Sequence, residues 1–269
     1  VGAELRPLNP ATLEPVGAVP VTGLEEIGEI VAEARLAQES WARAGLEARA
    51  ALLRRVTATL LAAAEEITAT VTAETGKPRL ESVTAEAFVS LDTARWLAGN
   101  LRRVLAPERV AMSQPYLRHK RARLVYEPVG VVAVVSPWNF PFAIPFTQAA
   151  TAVAAGNAVV VKPSELAPLS GSLVAEVFAR AGAPPGLVRV VHGPGDTVGD
   201  ARRRPHGLAK VVFTGSTAVG RTVAARCAER LRPVTLELGG KDPMLVLDDA
   251  DLERAVAGAL WGAFTNCGQ

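Results

Sequence analysis

The chain has 269 residues, 49% of them hydrophobic and 21% charged, with a formal net charge of +2. That composition excludes intrinsic disorder, the small charge gives no argument for a nucleic-acid or membrane-surface partner, and no apolar run approaches the roughly 18 residues of a membrane-spanning helix. Two cysteines, Cys227 and Cys267, and three histidines, His119, His192 and His206, make neither a disulfide framework nor a metal-ligand spacing, so no metal and a reducing, cytoplasmic setting are expected.

Residues 1–21, with Pro7, Pro10, Pro15 and Pro20, read as extended, turn-rich chain. Thr22 and Glu25 make a capping-box pattern that opens a helix reaching about Gly45. A second helix is predicted from Leu46 to Thr75, stopped by Gly76-Lys77-Pro78, and a third from Arg79 to Leu105. Ile27, Ile30, Val31 and Ala34 recur at helical spacing. Residues 109–127 read as a hairpin with basic residues at Arg118, Lys120, Arg121 and Arg123. A solvated edge face explains that charge better than a nucleic-acid patch, because the rest of the chain balances it.

The run Val129–Val135 has the continuous apolar character of a strand buried on both faces. Strands then follow near 158–161, 187–191, 210–213 and 234–238, alternating with helices near 141–155, 168–181, 217–230 and 251–265. This rhythm predicts an α/β fold with a doubly wound, mostly parallel sheet, preceded by N-terminal helices. The chain starts at Val1 and finishes at Gln269 straight after an apolar helical run, so a piece of a longer protein is expected.

Four polar peptides fall at the carboxyl ends of predicted strands, the edge where open α/β sheets bind ligands. They are SPWNFP (136–141), KPSE (162–165), FTGSTAVG (213–220) and ELGGK (237–241). The glycines Gly215 and Gly220 lead from a strand into a helix. They suit either close approach to a phosphate at the helix N-terminus or a plain strand-to-helix turn. Lys162 and Glu165, three apart, suit the two hydroxyls of a ribose or a surface ion pair. Asn139, between Trp138 and Phe140, suits an oxyanion donor or a turn cap. Glu237, ending an apolar strand, suits a partly buried general base or a structural salt bridge. Gly193, Gly195 and Gly199 miss the spacing of a dinucleotide fingerprint and read as a turn.

Taken in order, SPWNFP, VKPSE, FTGSTAVG and LELGGKDP resemble the NAD(P)-dependent aldehyde dehydrogenase superfamily, and FTNCGQ (264–269) is similar to the opening of that family's nucleophile motif. The resemblance implies a Rossmann-like cofactor domain made of a helical part (1–108) and an α/β part (128–238). It also implies an oligomerisation arm (109–127) and the start of a truncated catalytic domain (239–269). Its implied chemistry is oxidation of an aldehyde to a carboxylic acid through a cysteine thiohemiacetal and thioester. Asn139 would stabilise the oxyanion and Glu237 would activate water. Lys162 and Glu165 would hold the adenosine ribose. Gly215, Ser216 and Gly220 would line the pyrophosphate site with Trp138, and Ser136 and Leu238 would complete the cofactor contacts. NAD is the implied cofactor, with NADP second, because a carboxylate at Glu165 repels a 2′-phosphate. A homodimer or homotetramer is implied. The family's nucleophile lies two residues past the Gln of its motif, so Gly268-Gln269 stops short of it; Cys267 falls on a variable position, and residues 1–269 alone are expected to be inactive.

Two rival readings remain. Gly215 to Thr222 departs from a P-loop by Arg221 in place of lysine, and Met244–Asp249 resembles a Walker B strand. An arginine does not replace that lysine's compact charge, and the reading leaves Asn139, Lys162 and Glu237 unexplained. The other rival is a non-catalytic dinucleotide-binding or assembly fragment.

Overall fold

A computed structural model describes residues 3–195 and 207–269; Gly199 and His206 lie outside the described residues. Strand β1 (Glu4–Leu5) pairs antiparallel with β2 (Val19–Pro20). Helix α1 (Leu24–Arg43) follows. Its cap differs from the expected Thr22–Glu25 box by one residue: Gly23 is the N-cap, and its N–H donates to Glu26 Oε2 at 3.3 Å. Thr22 is engaged elsewhere, donating its N–H to the His192 carbonyl and accepting from the His192 N–H, both at 2.9 Å.

The helix expected over 46–75 is two, α2 (Gly45–Ala62) and α3 (Ala64–Thr75), broken at Ala63 (φ −94°, ψ 4°). No Gly or Pro marks the break, and beyond it α3 packs against α4, the following π turn and α7. Gly76 ends α3 in the left-handed region (φ 72°), as its place after Thr75 predicts. The third expected helix is interrupted too. It runs as α4 (Arg79–Ser82), a π-helical turn over Val83–Phe88, and α5 (Val89–Val104). A π turn holds one more residue than an α turn, and here it carries the fully buried Glu86.

The exposed hairpin forms as β3 (Glu108–Val110) against β4 (Ala122–Leu124). Beyond it come β5 (Val131–Val135), α6 (Ala143–Ala154), β6 (Ala158–Lys162), α7 (Pro168–Arg180), β7 (Val188–Val190), β8 (Leu208–Gly215), α8 (Thr217–Ala228) and β9 (Val234–Leu238). All five strands of this sheet are parallel, in the order β7-β6-β5-β8-β9, with Val135 opposite both Lys162 and Phe213. From β5 the chain steps outward through β6 to β7, then returns to the other side of β5 for β8 and β9. Right-handed crossovers therefore put α6 and α7 on one face and α8 on the other. Val131–Val134 and all of β6 are buried, which explains why these strands read as unbroken apolar runs. The N-terminal helices share this core: Trp41 Nε1 donates to the Val153 carbonyl at 2.8 Å, and residues of α1, α2, α3 and α5 belong to the same apolar cluster.

The segment Met244–Leu247, read as a possible Walker B strand, has no regular structure, and its side chains are exposed. Helix α9 (Leu252–Gly268) loses helical geometry at Thr265 (ψ 143°), and Asn266 and Cys267 turn left-handed (φ 55° and 56°). Leu252, Val256, Leu260, Trp261 and Phe264 on α9 are exposed.

Candidate active site

Chain from β5 turns to one face of the sheet and chain from β8 to the other, so a crevice opens between their carboxyl ends. The peptides after β5, β6 and β8, with one side of α8, enclose a cleft of about 740 Å³. Of the residues singled out in the sequence, Ser136, Trp138, Lys162, Glu165, Gly215 and Ser216 line it. Asn139, Gly220, Glu237 and Leu238 are not among its lining residues.

Lys162 ends the buried strand β6, and its Nζ lies 3.0 Å from Glu165 Oε2. Burial pushes the Glu165 carboxyl up. Hydrogen bonds from its own backbone N–H and from Gly195, with the Lys162 ammonium, outweigh that and hold it below the usual carboxylate range. Glu165 therefore faces the cleft ionised at neutral pH. Ser136 is tied to β6 by its N–H, which donates to the Lys162 carbonyl at 3.1 Å. Its hydroxyl is buried with no hydrogen-bond partner among the described residues.

At the head of α8, Ser216 is the N-cap and its Oγ accepts from the Val219 N–H at 3.3 Å. The other first-turn amides remain as donors toward an anion. Gly215 is required sterically, since a Cβ there would sit 2.7 Å from the Phe213 ring. Gly220 also lets α8 approach β9: a Cβ there would lie 2.4 Å from Leu238 Cδ2. Gly220 and Leu238 thus bring α8 and β9 into close contact.

Asn139 is half-buried just beyond the cleft. Its Oδ1 accepts from the Phe140 N–H at 3.1 Å, so the turn-capping role is real. Its amide nitrogen has no partner among the described residues and remains a donor. Its main-chain carbonyl accepts from Lys77 Nζ at 2.8 Å and from Asn266 Nδ2 at 3.2 Å. Glu237 departs from the expectation of a partly buried carboxylate. It is exposed at the end of β9, the outer strand of the sheet among the described residues.

Sequence reasoning missed Pro194 and Gly195, set aside as part of a turn, although Gly195 closes on Glu165. It also missed Val219, Thr222, Val223 and Arg226, the face of α8 toward the cleft. Their i, i+3, i+4, i+7 spacing was the available signal. Cys227 is buried and Cys267 exposed. Among the described residues no group of three or more His, Cys, Asp or Glu could hold a metal, and no helix is long and apolar enough to cross a membrane.

A protein-family model described as the aldehyde dehydrogenase family matches residues 2–269. A mitochondrial succinate-semialdehyde dehydrogenase of Arabidopsis thaliana is 40% identical over 261 residues, covering 97% of this chain and 48% of that protein. A betaine aldehyde dehydrogenase of Cereibacter sphaeroides is 40% identical over 275 residues, covering 98% and 56%. Among solved structures, succinate-semialdehyde dehydrogenase from Burkholderia pseudomallei superposes with a TM-score of 0.91 at 36% identity, over 99% of this chain and 54% of that one. An NAD+ complex of an aldehyde dehydrogenase from Bacillus cereus does so with a TM-score of 0.91 at 34% identity, over 99% and 54%. The chain spans about half the length of the curated relatives it matches.

Proposed function

The chain belongs to the aldehyde dehydrogenase family, and from that premise we propose that it supplies the dinucleotide-binding half of an enzyme that oxidises an aldehyde to a carboxylic acid with NAD. The observation that carries this reading is the convergence of Ser136, Trp138, Lys162, Glu165, Gly215 and Ser216 on one cleft. The cleft's chemistry fits a dinucleotide: an unpartnered buried hydroxyl, an ion pair able to meet two sugar hydroxyls, and open helix amides facing the same space.

In this reading Glu165 accepts from a ribose hydroxyl while Lys162 donates to its neighbour. The ionised Glu165 disfavours a 2′-phosphate, which makes NAD the preferred cofactor and NADP the second. The amides after Ser216 bind the pyrophosphate, with Trp138 across the cleft. A nicotinamide dinucleotide, when bound, accepts a hydride. A cysteine thiolate of the intact enzyme adds to the aldehyde carbon while Asn139 Nδ2 donates to its oxygen as that gains negative charge, and Glu237 takes a proton from the water that hydrolyses the thioester left after hydride loss, freeing the acid and the thiol. Neither cysteine is assigned the nucleophile's role. Cys227 is buried in α8, and Cys267 occupies a variable position of the family motif. The hairpin β3–β4 is assigned to subunit contact in a homodimer or homotetramer, and the compartment to the cytoplasm. Relatives carry the names of succinate-semialdehyde, betaine aldehyde and phenylacetaldehyde dehydrogenases, so the aldehyde is left at the level of its class.

The intact protein, assayed with a panel of aliphatic, aromatic and carboxylate-bearing aldehydes, is expected to form NADH. Asn139→Ala is expected to lower kcat by about 10²- to 10³-fold while dinucleotide affinity holds. No NADH across the panel overturns the proposal.

A further inference from the structure

Lys77 and Glu86 lie outside the dinucleotide cleft, yet they form an ion pair sealed from solvent, with side chains 2% and 0% exposed and Nζ 2.8 Å from Oε1. Removing two charges from water is costly, and such a pair adds little net stability compared with well-packed apolar residues. Its connections indicate another use. Lys77 Nζ also donates to the Asn139 carbonyl at 2.8 Å and sits 4.6 Å from the centre of the Phe140 ring. Glu86 Oε2 accepts from the N–H groups of Phe142 (3.1 Å) and Ala143 (2.6 Å), at the start of α6. One ion pair therefore holds both ends of the peptide 139–143. Asn266 Nδ2 meets the same Asn139 carbonyl at 3.2 Å.

Fixing a residue's carbonyl fixes its peptide plane, and with it the direction in which the side chain leaves the backbone. A hydrogen-bond donor stabilises a developing oxyanion only when it is held in place beforehand, because a displacement of about 1 Å forfeits most of the effect. The π turn over Val83–Phe88 has the same bearing, since such turns persist where they aim a particular side chain. We propose that the Lys77–Glu86 ion pair is a positioning device that aims the Asn139 amide at the oxyanion, with Lys77 and Glu86 acting only through Asn139. This rests on the function proposed above.

The test is a double-mutant cycle in the intact enzyme. Lys77→Met removes the ammonium at nearly constant length, and is expected to lower kcat about 10- to 100-fold with dinucleotide affinity, read by titration calorimetry, unchanged. In an Asn139→Ala background the same substitution is expected to cost almost nothing further, because the group it aims is gone. A loss from Lys77→Met that multiplies fully with that of Asn139→Ala overturns the proposal, as does an unchanged kcat. If Lys77→Met does not fold, Glu86→Gln is read in the same cycle; it keeps an oxygen for the Phe142 and Ala143 amides and removes the charge that holds Lys77. A wild-type enzyme that oxidises no aldehyde overturns the functional reading and this inference together, whereas an active wild type with multiplicative losses overturns the positioning role alone.

Discussion

Glu74, near the end of α3, accepts from the Ser170 hydroxyl at 2.6 Å and from the Ser170 N–H at 2.7 Å, so a carboxylate on one helix caps the first turn of another. The Leu169 N–H adds a third bond at 2.8 Å. Helix α7 has Ala167 at its N-cap, a residue that cannot cap with its own side chain. Glu74→Ala leaves these buried donors without an acceptor and is expected to cost about 2–3 kcal/mol of stability, read from urea unfolding midpoints. Glu74→Gln keeps one acceptor oxygen and is expected to lose less; equal losses from the two variants would contradict the capping account.

His192 is expected to make stability fall on mild acidification. Burial, with the nearby Lys162 ammonium, pushes its imidazole down to about 4, from 6.5 in the unfolded chain. Between those values the unfolded state takes up a proton that the fold refuses, so the contribution is complete above pH 6.5 and is lost as pH falls toward 4. Burial holds the Glu74 and Glu86 carboxyls above their usual range, which acts in the opposite sense, weakening the fold as pH rises through the carboxylate region. Comparison of wild type with His192→Gln isolates the histidine: the difference in unfolding midpoint should change across pH 6.5 to 4 and stay flat above it. A flat difference throughout contradicts the assignment.

In the proposed function, cofactor preference turns on Glu165. Replacing it with serine removes the charge opposed to a 2′-phosphate and releases the Lys162 ammonium, now 3.0 Å from the carboxylate. The ratio of kcat/KM with NADP to that with NAD is expected to rise about tenfold or more, equivalent to ~1.4 kcal/mol. An unchanged ratio places the ribose elsewhere.

The α8–β9 contact gives a test independent of catalysis. Gly220→Ala brings a methyl group against the end of the Leu238 side chain, which is exposed and can turn away, so stability is expected to hold within about 1 kcal/mol. Thermal melts of the variant and wild type read the difference, and a larger loss would show that Leu238 is held in place.

Cys267 is exposed in the left-handed turn after α9, beside the buried Asn266. Cys267→Ser in the intact enzyme is expected to leave kcat within about twofold, whereas loss of the nucleophile costs many powers of ten. Abolished turnover would make Cys267 the attacking thiol.

The sequence by itself determined the sheet and where its ligand edge lies. Val131–Val135 and Ala158–Lys162 are apolar without alternation because both their faces are covered, and the polar peptides that follow them had to emerge at one edge of a parallel sheet. Short-range chemistry was likewise readable: Gly76 ends α3, and Lys162 reaches Glu165 across three residues. Tertiary structure decided what depends on partners far along the chain. The break at Ala63 and the π turn around Glu86 carry no local signal, and Glu74 caps α7 from 95 residues away. The approach of Gly220 to Leu238 and the exposure of Glu237 at the end of β9 likewise show only in the folded chain. Lys77 read only as part of a helix stop. Its ammonium meets Glu86 nine residues on and the Asn139 carbonyl 62 residues on, and only the folded chain brings those groups within hydrogen-bonding distance, since no periodicity of helix or strand relates positions so far apart.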